Sequence, residues 1–155
     1  LSGGGLTVGS YVSVRGELPT LEINAWLLAK GHRLVLPVCV GESLSFVAVR
    51  DLLDLKAGAF GIPAPKIADA PVVPAPELAV LLVPLVAFDA NCHRLGQGRG
   101  FYDRLLAGPG FQARTVGLAH DFQQVPALPQ RPWDRALDEI VTPGGHFLRQ
   151  RCVQT

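Results

Sequence analysis

At 155 residues the chain is long enough for one domain with a sizeable core. Its 48% apolar and 17% charged residues exclude a disordered chain. A net charge of +1, from 14 basic and 13 acidic residues, gives no electrostatic reason to expect a nucleic-acid partner.

The longest apolar run, around Leu78 to Phe88, contains Pro84 and is too short to cross a bilayer. Leu1 to Ser10 is Gly-rich and does not have the form of a signal peptide. Cys39, Cys92 and Cys152 are odd in number and far apart, so they are expected as free thiols in a reducing cytoplasm. A soluble monomer with neither membrane nor nucleic-acid partner is the expectation.

In chain order, Tyr11–Val14 alternates apolar and polar side chains and predicts a short strand. Thr20 is the expected N-cap of a helix with body Leu21 to Lys30 and stop Gly31. Arg33–Val40 and Ser43–Val49 predict two strands, Pro37 placing the first near a sheet end. Residues 58–77 are rich in proline and glycine and predict an ordered connection or extended strip without a helix. Ala79–Pro84 is uniformly apolar, as in a central strand buried on both faces. A helix is predicted over Phe101–Ala107, and strands over Arg114–Leu118 and Glu139–Thr142. This alternation predicts an α/β fold: a three-layer, Rossmann-like sandwich around a mainly parallel sheet, in one domain over 1–155.

The most informative segment is Arg94 to Arg104, RLGQGRGFYDR. Gly96, Gly98 and Gly100 allow the backbone to curl, and successive N–H groups in such a curl make an anion nest. Arg94 and Arg99 add guanidinium forks suited to phosphate oxygens. Asp103 stands where a carboxylate can hold a divalent cation beside them. The loop follows a predicted central strand, and ligands of such sheets sit at the carboxyl ends of strands. A nucleotide phosphate chain is the expected ligand. A solvated turn leading into a helix is the alternative.

Several ordered blocks resemble the 5-formyltetrahydrofolate cyclo-ligase family. VPLVAFD (83–89) followed by RLGQGRGFYDR is similar to its central signature. YVSVRGELPT (11–20), VGLAH (116–120) with QQV (123–125), and Asp134 with LDEIVTP (137–143) resemble its other blocks. Leu85 stands where the family usually has glycine, and Gln97 and Arg99 vary from its commonest loop residues. The family's N-terminal helix, whose Lys and Arg reach the ATP phosphates, is not expected here, since the first basic residue is Arg15.

The resemblance implies ATP-dependent cyclisation of 5-formyltetrahydrofolate to 5,10-methenyltetrahydrofolate with release of ADP and phosphate, ATP and Mg²⁺ being required. It implies an ATP site over Arg94, Leu95, Gly96, Gln97, Gly98, Arg99, Gly100, Phe101 and Tyr102, with Arg94 and Arg99 catalytic. The folate is expected at Val12, Glu17, Gln97, Gly98, Arg99, Gly100 and Phe101. Within that set Glu17 would accept the N–H edge of the pterin. Mg²⁺ is expected on Asp103 and Asp134. A non-catalytic nucleotide- or folate-binding protein of the same fold is the other reading. His93, Arg104 and His120 receive no role.

Overall fold

The computed structural model describes residues 5–14, 16–58, 61–66, 71–132 and 134–149. Arg15, Trp133 and Cys152 lie outside the described residues. The main sheet has eight strands. They are β1 (Thr7–Gly9), β2 (Arg33–Val40), β3 (Ser43–Val49), β6 (Val72–Val73), β7 (Val80–Val83), β10 (Arg114–Leu118), β11 (Glu139–Thr142) and β12 (Gly145–Leu148). Short hairpins β4–β5 (Lys56–Ala57, Pro63–Ala64) and β8–β9 (Ala87–Phe88, Arg94–Leu95) stand apart from it. The α-helices are α1 (Leu21–Ala29) and α2 (Phe101–Ala107).

Across the main sheet the order is β12-β11-β10-β7-β1-β2-β3-β6. The five strands β11, β10, β7, β1 and β2 are mutually parallel. β12 pairs antiparallel with β11 on one side, and on the other β3 pairs antiparallel with both β2 and β6. The sheet is therefore mixed, with a parallel centre. In that centre the strand order reverses between β1 and β7, and the crevice beyond their carboxyl ends is where such a sheet takes its ligand.

Alternate residues of the central strands feed opposite faces, as the two-residue strand period demands. Val35, Leu81 and Val83 join Leu106 of α2, while Leu34, Leu36 and Leu82 join Leu27 of α1. The helices cover opposite faces, which makes the three layers. Leu81, Leu82 and Val83 are all buried, as the uniformly apolar run predicts.

The expected strand at Tyr11–Val14 is displaced. The strand is Thr7–Gly9, and the chain leaves the sheet after Ser10. Gly9 permits close packing there: a Cβ would lie 2.8 Å from Cδ1 of Leu81. Side chains then satisfy the departing backbone. Thr20 Oγ1 and Asn24 Nδ2 both donate to the Tyr11 carbonyl, and Thr20 Oγ1 accepts from Ser13 N–H. Thr20 precedes α1 as expected, but its hydroxyl makes these contacts and no side-chain cap. Leu85 is buried, and its Cδ2 lies 3.0 Å from where a Cβ on Gly117 would stand. The larger residue at 85 is accommodated by the glycine facing it on β10.

Candidate functional site

Two loops meet at the reversal point. From β1 the chain runs through Tyr11 into a turn at Val14–Glu17. Glu17 N–H donates to the Val14 carbonyl, and Val14 N–H donates to Glu17 Oε1 at 2.7 Å. Gly16, at φ +87°, supplies the left-handed residue of this turn. Glu17 is half-buried, and burial pushes its carboxyl above the usual range despite the hydrogen bonds from Val14 and Gln97. The second loop descends from β9. Gln97 Nε2 approaches Glu17 Oε2 at 3.4 Å, bridging residues 80 positions apart.

Arg94 begins that loop, and its side chain is only 6% exposed. Nη2 donates to Asp103 Oδ1 at 3.1 Å, Nη1 reaches the Pro84 carbonyl at 3.4 Å, and the guanidinium lies 5.8 Å from the Tyr102 ring centroid. Burial pulls its pKa down, and Asp103, Tyr102 and Asp134 oppose that; an arginine so placed remains charged. Among the described residues its Nε is buried without a hydrogen bond, as is the Tyr11 hydroxyl. Tyr102 packs against the α2-side core, and burial first raises its phenol pKa, so the ring is neutral. Phe101 is half-buried beneath the Arg104 guanidinium at 5.3 Å. Val12 packs on the α1-side core.

The glycines of the loop do different work. Gly96 lies over Arg94, and a Cβ there would come within 2.7 Å of Nη1. Gly98, at φ +91°, has open space around it and is required for its conformation. Gly100, at φ +73°, leads into α2.

Asp103 and Asp134, 31 positions apart, line one small cleft with His93, Arg94, Gln130 and Arg135. Both are exposed. Asp134 Oδ2 also accepts from Arg131 N–H at 2.9 Å. Thus Arg94, Asp103 and Asp134 share one cleft and Glu17 approaches Gln97 between the two loops, with Arg94 deeper than a surface phosphate ligand would be. Leu95, by contrast, is 52% exposed, and Gln97 and Arg99 are exposed on the loop.

Several residues that position the site had no sequence signal beyond their place in a motif. Arg104 Nε and Nη2 donate to the Glu42 carbonyl, and Nη2 also donates to the Arg99 carbonyl, so this side chain ties the Gly-rich loop to the β2–β3 turn. Asp89 is 3% exposed and accepts from Asn91, His93 and Leu128 N–H groups and from His93 Nδ1. It holds together the hairpin from which the loop descends. Gln123, also buried, donates to the carbonyls of Leu85 and Val86 and accepts from His120 N–H. Cys92 is buried at φ +66°, with its thiol pushed up to about 11 by burial and by Asp89, which makes it a packing residue with no nucleophile character.

Burial works to raise the Asp89 pKa, but the Leu128 and His93 hydrogen bonds outweigh it and hold the carboxyl below its usual range. Such a group adds stability above its unfolded pKa of about 3.9, and that stability is lost as pH falls through the lower folded value. Asp89→Asn places an amide donor among N–H donors. It is expected to cost roughly 2–4 kcal/mol in urea unfolding and to flatten the acid limb of the stability profile. A loss under about 0.5 kcal/mol would show that Asp89 is not the clasp of this hairpin.

Comparison with known proteins identifies the family. The profile of the 5-formyltetrahydrofolate cyclo-ligase family matches residues 5–143. The 5-formyltetrahydrofolate cyclo-ligase of Escherichia coli (strain K12) is 39% identical over 141 residues, covering 88% of this chain and 78% of the relative. That of Mycolicibacterium smegmatis is 31% identical over 144 residues, covering 90% and 74%. Among solved structures, the 5,10-methenyltetrahydrofolate synthetase of Aquifex aeolicus superposes with a TM-score of 0.81 at 32% identity, covering 97% of this chain and 76% of that one. A profile match over nearly the whole described chain, on a shared fold, makes this protein a member of the 5-formyltetrahydrofolate cyclo-ligase family.

Proposed function

We propose that the crevice between the β1 and β7 loops is where this chain, as a carbon–nitrogen bond-forming ligase of its family, cyclises 5-formyltetrahydrofolate to 5,10-methenyltetrahydrofolate with ATP. The observation that carries the assignment of the site is the approach of Glu17 and Gln97 across the reversal point, Gln97 lying on the same Gly-rich loop whose first residue, Arg94, pairs with Asp103.

A formyl amide is a weak electrophile because its nitrogen lone pair feeds the carbonyl. Moving the γ-phosphoryl group of ATP onto the formyl oxygen breaks one P–O bond, forms another and releases ADP. N10 then attacks the formyl carbon, the C–O bond breaks, phosphate departs, and N10 gives up its proton. The protein's part is alignment and charge neutralisation. Arg99 and the N–H groups of Gly96 to Gly100 hold phosphate oxygens from the exposed side. Arg94 adds its field from below and keeps Asp103 in place. Glu17 and Gln97 orient the pterin edge, with Val12 and Phe101 as apolar walls. Glu17 Oε1 already accepts from Val14, but each carboxylate oxygen can accept twice, and among the described residues Oε2 receives only the long Gln97 contact.

Magnesium fits the donor set. Among the described residues no three His, Cys, Asp or Glu side chains gather into a protein-only cage. Mg²⁺ commonly uses one or two carboxylates and takes the rest of its shell from water and substrate phosphates. Asp103 and Asp134 on one cleft are the residues that would hold it. When bound, the ion neutralises charge on the transferring phosphoryl group.

The test is spectroscopic: methenyltetrahydrofolate formation from 5-formyltetrahydrofolate with ATP present and absent. Product only with ATP is the expected result. Tight folate binding without any product under magnesium and ATP would sink the catalytic assignment of this crevice.

A further inference from the structure

Phe122 is 79% exposed, an unusual position for a large aromatic side chain that nothing in the catalytic proposal uses. It is not on a loose loop. It sits in a single 3₁₀ turn, Asp121–Gln123, just beyond the carboxyl end of β10. Gln123 fastens that turn to the Leu85 and Val86 carbonyls, and Asp121 Oδ1 fastens it to Thr142 Oγ1 and Gly144 N–H. One face of the Phe122 ring is stacked on His120, with centroids 5.0 Å apart and planes 10° from parallel. A fixed aromatic ring is therefore held at the ligand edge of the sheet.

Hydrogen bonds connect this turn to segments that lead to the Gly-rich loop. Val86, whose carbonyl Gln123 holds, is 46% exposed. Val86 N–H donates to the carbonyl of Leu95, which is 52% exposed and directly precedes Gly96. Three hydrogen-bonded segments thus each carry an exposed apolar side chain, Phe122, Val86 and Leu95, at the carboxyl-end side of the sheet. Exposed apolar side chains gathered beside a site are candidates for ligand contact.

We propose that Phe122, with Val86 and Leu95, forms a ledge that takes the flat aromatic segment linking the pterin to the glutamate of the folate, and that it sets this chain's preference for complete folates over pterins. The inference rests on the folate reading of the crevice. Its chemistry is complementary: Glu17 and Gln97 accept and donate at the polar pterin edge, whereas an aminobenzoyl ring needs an apolar, preferably aromatic, face. Phe122 acts here as a positioning and specificity residue, distant from the bonds that change.

Calorimetry with two ligands tests it: 5-formyltetrahydrofolate, and a 5-formyltetrahydropterin lacking the aminobenzoylglutamate. Phe122→Ala should weaken the complete folate roughly tenfold while leaving the truncated pterin and ATP unchanged. Phe122→Tyr should keep the wild-type preference. Because the ring is exposed, its removal leaves no cavity, and the melting temperature serves as a check. Equal loss for both ligands, or loss for neither, overturns the ledge alone. Failure of the wild-type protein to bind either ligand overturns the ledge and the folate reading together.

Discussion

Asp103→Asn is expected to reduce turnover by at least ~10², on the order of 3 kcal/mol of transition-state stabilisation. A magnesium titration separates this loss from the folding cost of the same substitution. Asp103 is 58% exposed and pairs with the nearly buried Arg94 at 3.1 Å. Because Arg94 is nearly buried, removing the Asp103 charge also leaves a desolvated guanidinium less well compensated, and a folding cost accompanies the lost turnover. Asparagine retains an oxygen that accepts from Arg94 Nη2, so the loop keeps its strut. What disappears is the formal charge on the cleft shared with Asp134. The measurement is turnover across a magnesium titration, beside urea unfolding of both proteins. The metal assignment predicts a large loss at limiting Mg²⁺ that added metal partly restores, whereas a loss that only follows lower stability does not respond to metal. Wild-type turnover at limiting Mg²⁺ would remove Asp103 from the metal site.

How far the sequence reveals this fold depends on element length. Arg33–Val40, Ser43–Val49, Arg114–Leu118 and Glu139–Thr142 each carry a long or β-branched pattern, and each forms over the residues expected. The α2 helix begins at Phe101 as its position after Gly100 predicts. The opening strand is misplaced because Thr7–Gly9 offers only three residues and a glycine, while Tyr11–Val14 alternates but has its backbone claimed by Thr20 and Asn24. The β8–β9 hairpin has no sequence signal. Its strands are two residues long, and the left-handed position in its turn is Cys92 where Asn or Gly is the usual signal. The edge strand β12 is likewise too short and too mixed to read.

The site follows the same rule. Glycine spacing and charge identify the loop, because backbone conformation and ionic groups leave local traces. Which arginine faces outward is a tertiary matter. Arg94 lies under the loop because Gly96 leaves room for its guanidinium and Asp103 and the Pro84 carbonyl claim its nitrogens. Asp89, Arg104 and Gln123 are held by partners that are mostly backbone groups, and a backbone partner has no side-chain identity to read.

Glu17→Gln should give a protein that folds at least as well as the wild type and binds folate far less well. Glutamine keeps an oxygen for Val14 N–H, the 2.7 Å bond that closes the turn. It also removes a half-buried charge whose burial raises the carboxyl pKa. For a raised acid, the folded state binds protons more tightly than the unfolded one, so its contribution to stability declines as pH rises from about 4.3 through the folded value. At neutral pH the carboxylate is therefore a burden on the fold, and the amide relieves it. Binding moves the other way. The amide presents N–H groups where the pterin edge also presents them, and loss of a charged hydrogen bond costs roughly 1.5–3 kcal/mol, about ten- to a hundred-fold in affinity. ATP affinity should stay nearly unchanged. Acidification of the wild type should mimic the substitution, with folate affinity falling as pH drops through the raised carboxyl pKa and the variant showing no such step. Calorimetry at several pH values reads both effects. Weakened ATP with folate intact would place Glu17 outside the folate site. An equal fall in folding stability would reduce it to the turn that it closes.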